Sequence, residues 1–385
     1  MAIRSRLAIT VTVPGAVALG LLLTACSSGS SSTGSSSSSS ALGACPQEPT
    51  STGAPEGGGT STGAAIPVSK TVKATDTSTS TVIDPTGPAI QCGQVDLASH
   101  QDIVYSSPTT GGKKTDLKLD LQVPKGSGAK PLVVYITGGG FVMDDKAANL
   151  AQRTYVAEQG YAVASIEYRT ISNGATYKDG VADVKSAVRY LRANADKYGF
   201  DGTKVAVWGQ SAGGYLAAMA GTTNGDKQFD IGDNLDQSSE VQAVVDEFGA
   251  GDLSKIADDL DAATQKAYNA PGSFVNAYVF GPGSKKTVTS DAAANAAANP
   301  ASYSNSRTAP FILLQGDNDH IISPSQSLIL ADALKAKGVD ATRYVVKGAN
   351  HGDMSFLGDP KAGIPWSTQK VMGTITGFLD ERIGG

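Results

Sequence analysis

Histidine and cysteine are scarce in this chain, three of each in 385 residues. A protein-built metal centre needs three or four imidazole, thiolate or carboxylate ligands close together, and no His/Cys group with ligand spacing occurs, so neither a metal nor an organic cofactor is expected. Basic residues are not in excess: 31 Lys+Arg stand against 36 Asp+Glu, a net charge of −5. That balance lacks the basic footprint of a nucleic-acid binder and is too mild to name an acidic or basic partner. Aromatic residues make up only 6%. The length admits one large α/β domain with appendages, or two domains.

What is present at the front is an export signal. Arg4 and Arg6 precede an apolar run from Leu7 to Leu23, interrupted by Pro14. Such a segment is targeting rather than fold. It ends in Leu23-Thr24-Ala25-Cys26, which resembles the lipobox of bacterial lipoproteins. That resemblance implies cleavage before Cys26, lipid on its thiol and amine, and residence on the outer side of the bacterial cytoplasmic membrane; an uncleaved or ordinary secretory signal is the alternative. Residues 27–90 are Ser, Thr, Gly, Ala and Pro with few large apolar side chains. Such a composition buries too little surface to offset chain entropy and predicts a disordered tether. With Cys26 assigned to lipid, Cys45 and Cys92 remain, and in an exported protein they are expected to pair.

Residues 95–385 carry the pattern of a folded domain. Asp102 to Ser106 and Thr115 to Val123 alternate polar and apolar, as half-exposed antiparallel strands do, with Gly111-Gly112 as the turn. The continuous apolar run 131–136 and the stretches 161–166 and 205–208 read as buried strands, and 241–245, 311–314 and 342–346 read as further strands. Helical segments are expected at 146–159, 181–198, after Ser211, at 325–337 and at 367–382. The alternation predicts an α/β fold: a mostly parallel sheet with helices on both faces. Residues 252–300 break the rhythm and predict an insertion lying over the strand ends as a partial lid.

The organising stretch is Val205-Ala206-Val207-Trp208-Gly209-Gln210-Ser211-Ala212-Gly213-Gly214. Strand, sharp turn and helix with serine at the apex is a nucleophile elbow. Gly209 and Gly213 are required where strand and helix nearly touch. Ala212 starts the helix, where an unpaired N–H can serve an oxyanion. A serine nucleophile needs a base and an orienting acid. Of His100, His320 and His351, His100 precedes the first strand and His320 sits beside an acid in a loop, whereas His351 lies just after the last strand, where loops gather on the sheet edge that carries the elbow. Asp317 and Asp319 both follow the 311–314 strand, and Asp246 and Glu247 are the rival acids. Asp319 is favoured, with Asp317 read as a turn-former that caps N–H groups.

Taken together, Gly138-Gly139-Gly140-Phe141, Tyr168-Arg169, Asp179 with Asp183, Gly209-Gln210-Ser211-Ala212-Gly213-Gly214, Gly316-Asp317-Asn318-Asp319 and His351-Gly352 resemble the esterase/lipase-type α/β hydrolases. Among these the likeness is to carboxylesterases with a His-Gly-Gly-Gly loop, including feruloyl-esterase-like and acetyl-esterase-like members. The resemblance implies an α/β-hydrolase fold, a serine hydrolase acting on small-molecule carboxylic esters, Asp319 as the acid, and an oxyanion hole from the N–H groups of Gly139, Gly140 and Ala212. Two positions depart from the pattern: Thr137 replaces the His before the three glycines, and Ser323 replaces a proline, with Pro324 following. Glu247 stands where these esterases often carry an aromatic; pointed into the site it would disfavour anionic substrates, and otherwise it is a solvated loop charge. A prolyl-oligopeptidase-like peptidase shares the elbow but brings a large propeller for which the tether has no room. A binding protein without catalysis would have no need of the Ser/Asp/His set.

Overall fold

The computed structural model describes residues 42–47, 66–352 and 361–384. The signal segment with Cys26, and residues 48–65 of the tether, lie outside the described residues.

The strands in chain order are β1 (Gly43–Ala44), β2 (Thr81–Ile83), β3 (Gln91–Cys92), β4 (Leu97–Ser106), β5 (Thr109–Thr110), β6 (Lys113–Lys114), β7 (Leu117–Pro124), β8 (Lys130–Ile136), β9 (Ala162–Ile166), β10 (Phe200–Gln210), β11 (Ala243–Glu247), β12 (Phe311–Gly316) and β13 (Ala341–Val346). Nine of them form one sheet in the order β2-β13-β12-β11-β10-β8-β9-β7-β4. From β2 to β9 the pairing is parallel, and β7 and β4 are antiparallel additions at one edge. The small β5–β6 ribbon turns at Gly111 and Gly112, both with positive φ, as the hairpin reading requires.

The continuous apolar runs follow from burial on both faces. In β8, Val134 and Ile136 join one core with Val205, Val207, Val244 and Leu313, while Val133 and Tyr135 join the other with Ala206, Trp208, Val245 and Ile312. Period-two alternation therefore separates two buried layers rather than core from solvent. The helices α1 (Leu150–Glu158), α2 (Tyr177–Ala193), α3 (Ala195–Tyr198), α4 (Ala212–Thr222), α5 (Ala262–Tyr268), α6 (Phe274–Phe280), α7 (Ala292–Ala298), α8 (Gln326–Ala336) and α9 (Gln369–Ile383) cover both faces. α2, α4 and α8 pack in the first layer, α1 and α9 in the second. This is the α/β-hydrolase fold.

Residues 252–300 form α5, α6 and α7, joined by turns. Asp261, Ser273 and Asp291 each cap a helix by accepting the N3 backbone N–H, so these short helices are specified locally. Phe274 and Tyr278 of α6 are buried in the main core, so the insertion is part of the fold.

The tether departs from its expectation over 66–90. β2 pairs in parallel with β13 and completes the sheet edge, and Ile83 and Ile90 are buried in the second core. Arg343 of β13 donates to the carbonyl of Asp76, to Ser80 Oγ and to Thr75 Oγ1, which fixes the segment just before β2. Composition averaged over the tether hides these few apolar anchors; an edge strand three residues long needs only one buried side chain. Residues 66–90 thus belong to the folded unit. The segment at 43–45 belongs to it too: Cys45 forms a disulfide with Cys92, both buried in the second core, and β1 pairs with β3.

Candidate active site

β10 delivers the elbow. A Cβ placed on Gly209 would lie 2.1 Å from the Gly213 carbonyl oxygen, and one on Gly213 would lie 2.0 Å from that of Ile136. No side chain fits at either position, and the chain turns directly from strand into α4. Ser211 pays for the turn with φ 56° and ψ −118°, a conformation that L-residues seldom adopt and that costs of the order of 1–3 kcal/mol. The Ser211 N–H is held by the Glu247 carbonyl at 2.9 Å.

The loops after β12 and β13 meet this serine. His351 Nε2 is 2.8 Å from Ser211 Oγ, and His351 Nδ1 is 2.8 Å from Asp319 Oδ2. Asp319 is fully buried. Its Oδ1 accepts the N–H groups of Ile321 and Ile322, both at 2.9 Å, and its Oδ2 also accepts from Gln315 Nε2 at 2.9 Å. The histidine ring packs edge-on to Phe248 with centroids 4.8 Å apart. Asn350 Oδ1 accepts the N–H groups of both His320 and His351, tying the two loops together.

The remaining candidates lie elsewhere. Asp317 Oδ1 accepts the Gly348 N–H at 2.6 Å, a cap across the two loops. His100 meets Tyr198 edge to face, and His320 Nδ1 contacts the Ser69 carbonyl oxygen. Gly139 (φ 144°) and Gly140 (φ 59°) line the cleft with Ala212, and among the described residues the N–H groups of all three have no hydrogen-bond partner. Where the resemblance expects a bracing histidine, the Thr137 carbonyl accepts from Tyr168 Oη at 3.0 Å and Thr137 Oγ1 accepts from the Asp145 N–H at 3.4 Å. Ser323 Oγ accepts the Asp259 N–H at 2.8 Å and so anchors the acid loop to the insertion. Arg169 is bound by Asp183 and Asp179 outside the cleft, a structural pair.

Glu247 is neither in the cleft nor solvated. It is fully buried behind the elbow, where its Oε2 accepts from Trp208 Nε1 at 2.5 Å and Gln210 Nε2 at 2.9 Å. Burial raises its pKa to about 7, and that of neighbouring Asp246 also to about 7. Composition gave no sign of this; the Gln210 amide inside the elbow was the available signal, since a buried amide demands partners. A raised folded pKa means that the native state holds its proton longer than the unfolded chain. The stability is therefore complete below the unfolded value of 4.5 and is lost as pH rises through about 7. Glu247→Gln, which mimics the protonated form, should match wild type in thermal midpoint near pH 5 and exceed it at pH 8. The rise from 4.5 to about 7 sets a ceiling of about 3 kcal/mol. Equal pH slopes in thermal melts of both proteins would refute the assignment.

Above the relay lies a cavity of about 460 Å³, bounded by the glycine loop, Phe141, Met143, Phe248, Ile256, Phe274, Ile321 and Ile322, with Asp145 and Asn149 also in its lining. An electrophilic carbon placed against Ser211 Oγ would share the cleft with the free N–H groups of Gly139, Gly140 and Ala212, and His351 Nε2 stands ready to accept the serine proton. Among the described residues no group of acidic, His or Cys side chains could hold a metal ion.

A family model described as BD-FAE matches residues 119–334. An isoprenylcysteine alpha-carbonyl methylesterase of Arabidopsis thaliana is 29% identical over 248 residues, 64% of this chain and 56% of that protein. Esterase LipC of Mycobacterium tuberculosis is 29% identical over 224 residues, 58% of this chain and 53% of LipC. The chain spans about half the length of these curated relatives. A solved structure titled as a truncated carbohydrate esterase from gut microbiota superposes with a TM-score of 0.62 at 26% identity, covering 77% of this chain and 99% of that one.

Proposed function

The chain belongs to the BD-FAE family, and from that premise we propose that it is a serine hydrolase of small-molecule carboxylic esters. The observation that carries the reading is the hydrogen-bonded line Ser211–His351–Asp319 beneath an open cleft. The esterase names of the relatives and of the solved neighbour support it. Ser211 Oγ attacks the ester carbonyl while His351 Nε2 takes its proton. The oxyanion is received by the N–H groups of Gly139, Gly140 and Ala212. Collapse expels the alcohol, which takes the proton back from His351. Water then attacks the acyl-serine by the same relay and releases the acid. Asp319 holds His351 in the tautomer with a proton on Nδ1 and stabilises the imidazolium. Preorganised amides in a site shielded from water supply the largest share of such rate enhancements. Ile256 and Phe274 bring the insertion to the cleft wall, which supports its reading as a partial lid. Fluorophosphonate labelling of Ser211 tests the nucleophile, and turnover of p-nitrophenyl esters against prolyl amides tests the bond cleaved. A protein that takes no label, or that cleaves the amides alone, would overturn the proposal.

We propose further that Cys26 is lipidated and anchors the enzyme to the outer side of the bacterial cytoplasmic membrane, the tether spacing it outward. The Leu23-Thr24-Ala25-Cys26 sequence supports this. Among the described residues no helix is long and apolar enough to cross a membrane. The mature protein should partition into detergent, and Cys26→Ser should be released or remain unprocessed. An unmodified mature N-terminus by intact mass would refute the anchor.

A further inference from the structure

One wall of the cleft comes from far upstream of the residues matched by the family model. Ile66 lines the cavity above Ser211. Its Cδ1 would lie 2.4 Å, and its Cγ1 3.1 Å, from a Cβ on Gly140, so the side chain rests directly on the glycine loop. The strand of chain that carries it is fixed on two sides. Toward the acid loop, the Ser69 N–H donates to the His320 carbonyl at 2.9 Å, and His320 Nδ1 meets the Ser69 carbonyl oxygen at 2.7 Å. Toward the insertion, Asp261 Oδ2 accepts the Lys70 N–H at 2.7 Å and Ser69 Oγ at 3.0 Å, and the Lys73 N–H donates to the Asp259 carbonyl at 2.8 Å. Val72 makes an antiparallel bridge to Leu260. These anchors place the strap beside the cleft, and Ile66, three residues before the first of them, lies over the glycine loop.

We propose that Ile66 is a specificity-determining residue: the strap at 66–73 closes the cleft over Gly140, and Ile66 limits the size of the ester group that lies against the glycine loop. The inference rests on the ester-hydrolase reading. It follows from position. Any substrate whose carbonyl oxygen reaches the N–H groups of Gly139 and Gly140 must place a neighbouring group under the side chain that covers Gly140. A change of one methylene in such a pocket alters discrimination by roughly tenfold or more.

The test measures kcat/KM for two series, p-nitrophenyl esters from acetate to octanoate and acetates of increasingly bulky phenols, with wild type, Ile66→Ala, Ile66→Trp and Val68→Ala. Val68 lies on the same strap, exposed and outside the cavity lining, so its variant controls for disturbance of the strap. In at least one series Ile66→Ala should raise the ratio of large to small ester by about tenfold, and Ile66→Trp should lower it by a similar factor, while Val68→Ala keeps the wild-type ratio. Thermal midpoints report whether each variant is folded. Ratios within twofold of wild type in both series for folded Ile66→Ala and Ile66→Trp would overturn the role of Ile66 and leave the ester-hydrolase reading standing. A wild-type protein that hydrolyses no member of either series would overturn both.

Discussion

Ser211→Ala is expected to lower kcat by several orders of magnitude, about 10⁶ if the relay acts as a unit, and to leave the thermal midpoint close to wild type. The two halves of this expectation have separate causes. Rate is lost because, in the proposed mechanism, Oγ is the atom that forms and breaks the acyl bond; without it, His351 and Asp319 have no nucleophile to activate. Residual catalysis of 10³–10⁴ over water would come from the free N–H groups and from binding. Stability is kept because the Oγ contact to His351 is the side chain's bond in the site. The backbone at φ 56° is held by the Glu247 carbonyl and by the two glycines whose neighbours exclude any Cβ. Alanine adopts the same strained backbone at similar cost. Turnover near the wild-type rate in a folded Ser211→Ala protein would sink the mechanism, and loss of fluorophosphonate labelling in the same protein is the independent check.

Much of this architecture could be read in advance because the physics that builds it is local. Runs such as Leu132 to Ile136 are buried on both faces, so the side chains are apolar or aromatic and the strand announces itself. The elbow is legible because Gly209 and Gly213 leave no alternative at their positions. His351 stood out by the scarcity of histidine, and the structure sets it against Ser211. The unread features depend on single residues whose partners are distant. Ile66 and Ile83 sit in a Ser/Thr/Gly-rich stretch, and only the acid loop and β13 give them meaning. Glu247 looked like a loop charge because nothing nearby in sequence shows that Trp208 and Gln210 aim their N–H groups at it. The departure at Thr137 similarly gained its answer from Tyr168, 31 residues away.

Asp319→Asn should lower kcat by about 10⁴ with little change in KM, whereas Asp317→Asn should cost no more than about 1 kcal/mol of stability and leave turnover near wild type. The surroundings of Asp319 decide how the new amide would sit. Its Oδ1 position receives two backbone N–H groups, from Ile321 and Ile322. An amide nitrogen there would face two donors, so the amide oxygen takes that place and the NH₂ turns to His351. That NH₂ donates to Nδ1 and leaves the imidazole proton on Nε2, the atom that must accept the serine proton. Gln315 Nε2 now faces a donor as well, but Gln315 Oε1 is buried without a hydrogen-bond partner among the described residues. Rotating the Gln315 amide presents that oxygen to the new NH₂ and relieves the conflict. The fold therefore tolerates the change, and the rate loss isolates the tautomer. Asp317 differs because its one bond, to the Gly348 N–H, is an acceptor role that an asparagine oxygen can keep. Measuring kcat, KM and thermal midpoint for both variants separates the roles. Lost turnover in Asp317→Asn with activity kept in Asp319→Asn would reverse the assignment. Activity kept in both would shift the orienting role to Asp246 or Glu247, although the Glu247 carboxylate is bound to Trp208 and Gln210 and the Asp246 carboxylate to the Gly249 N–H.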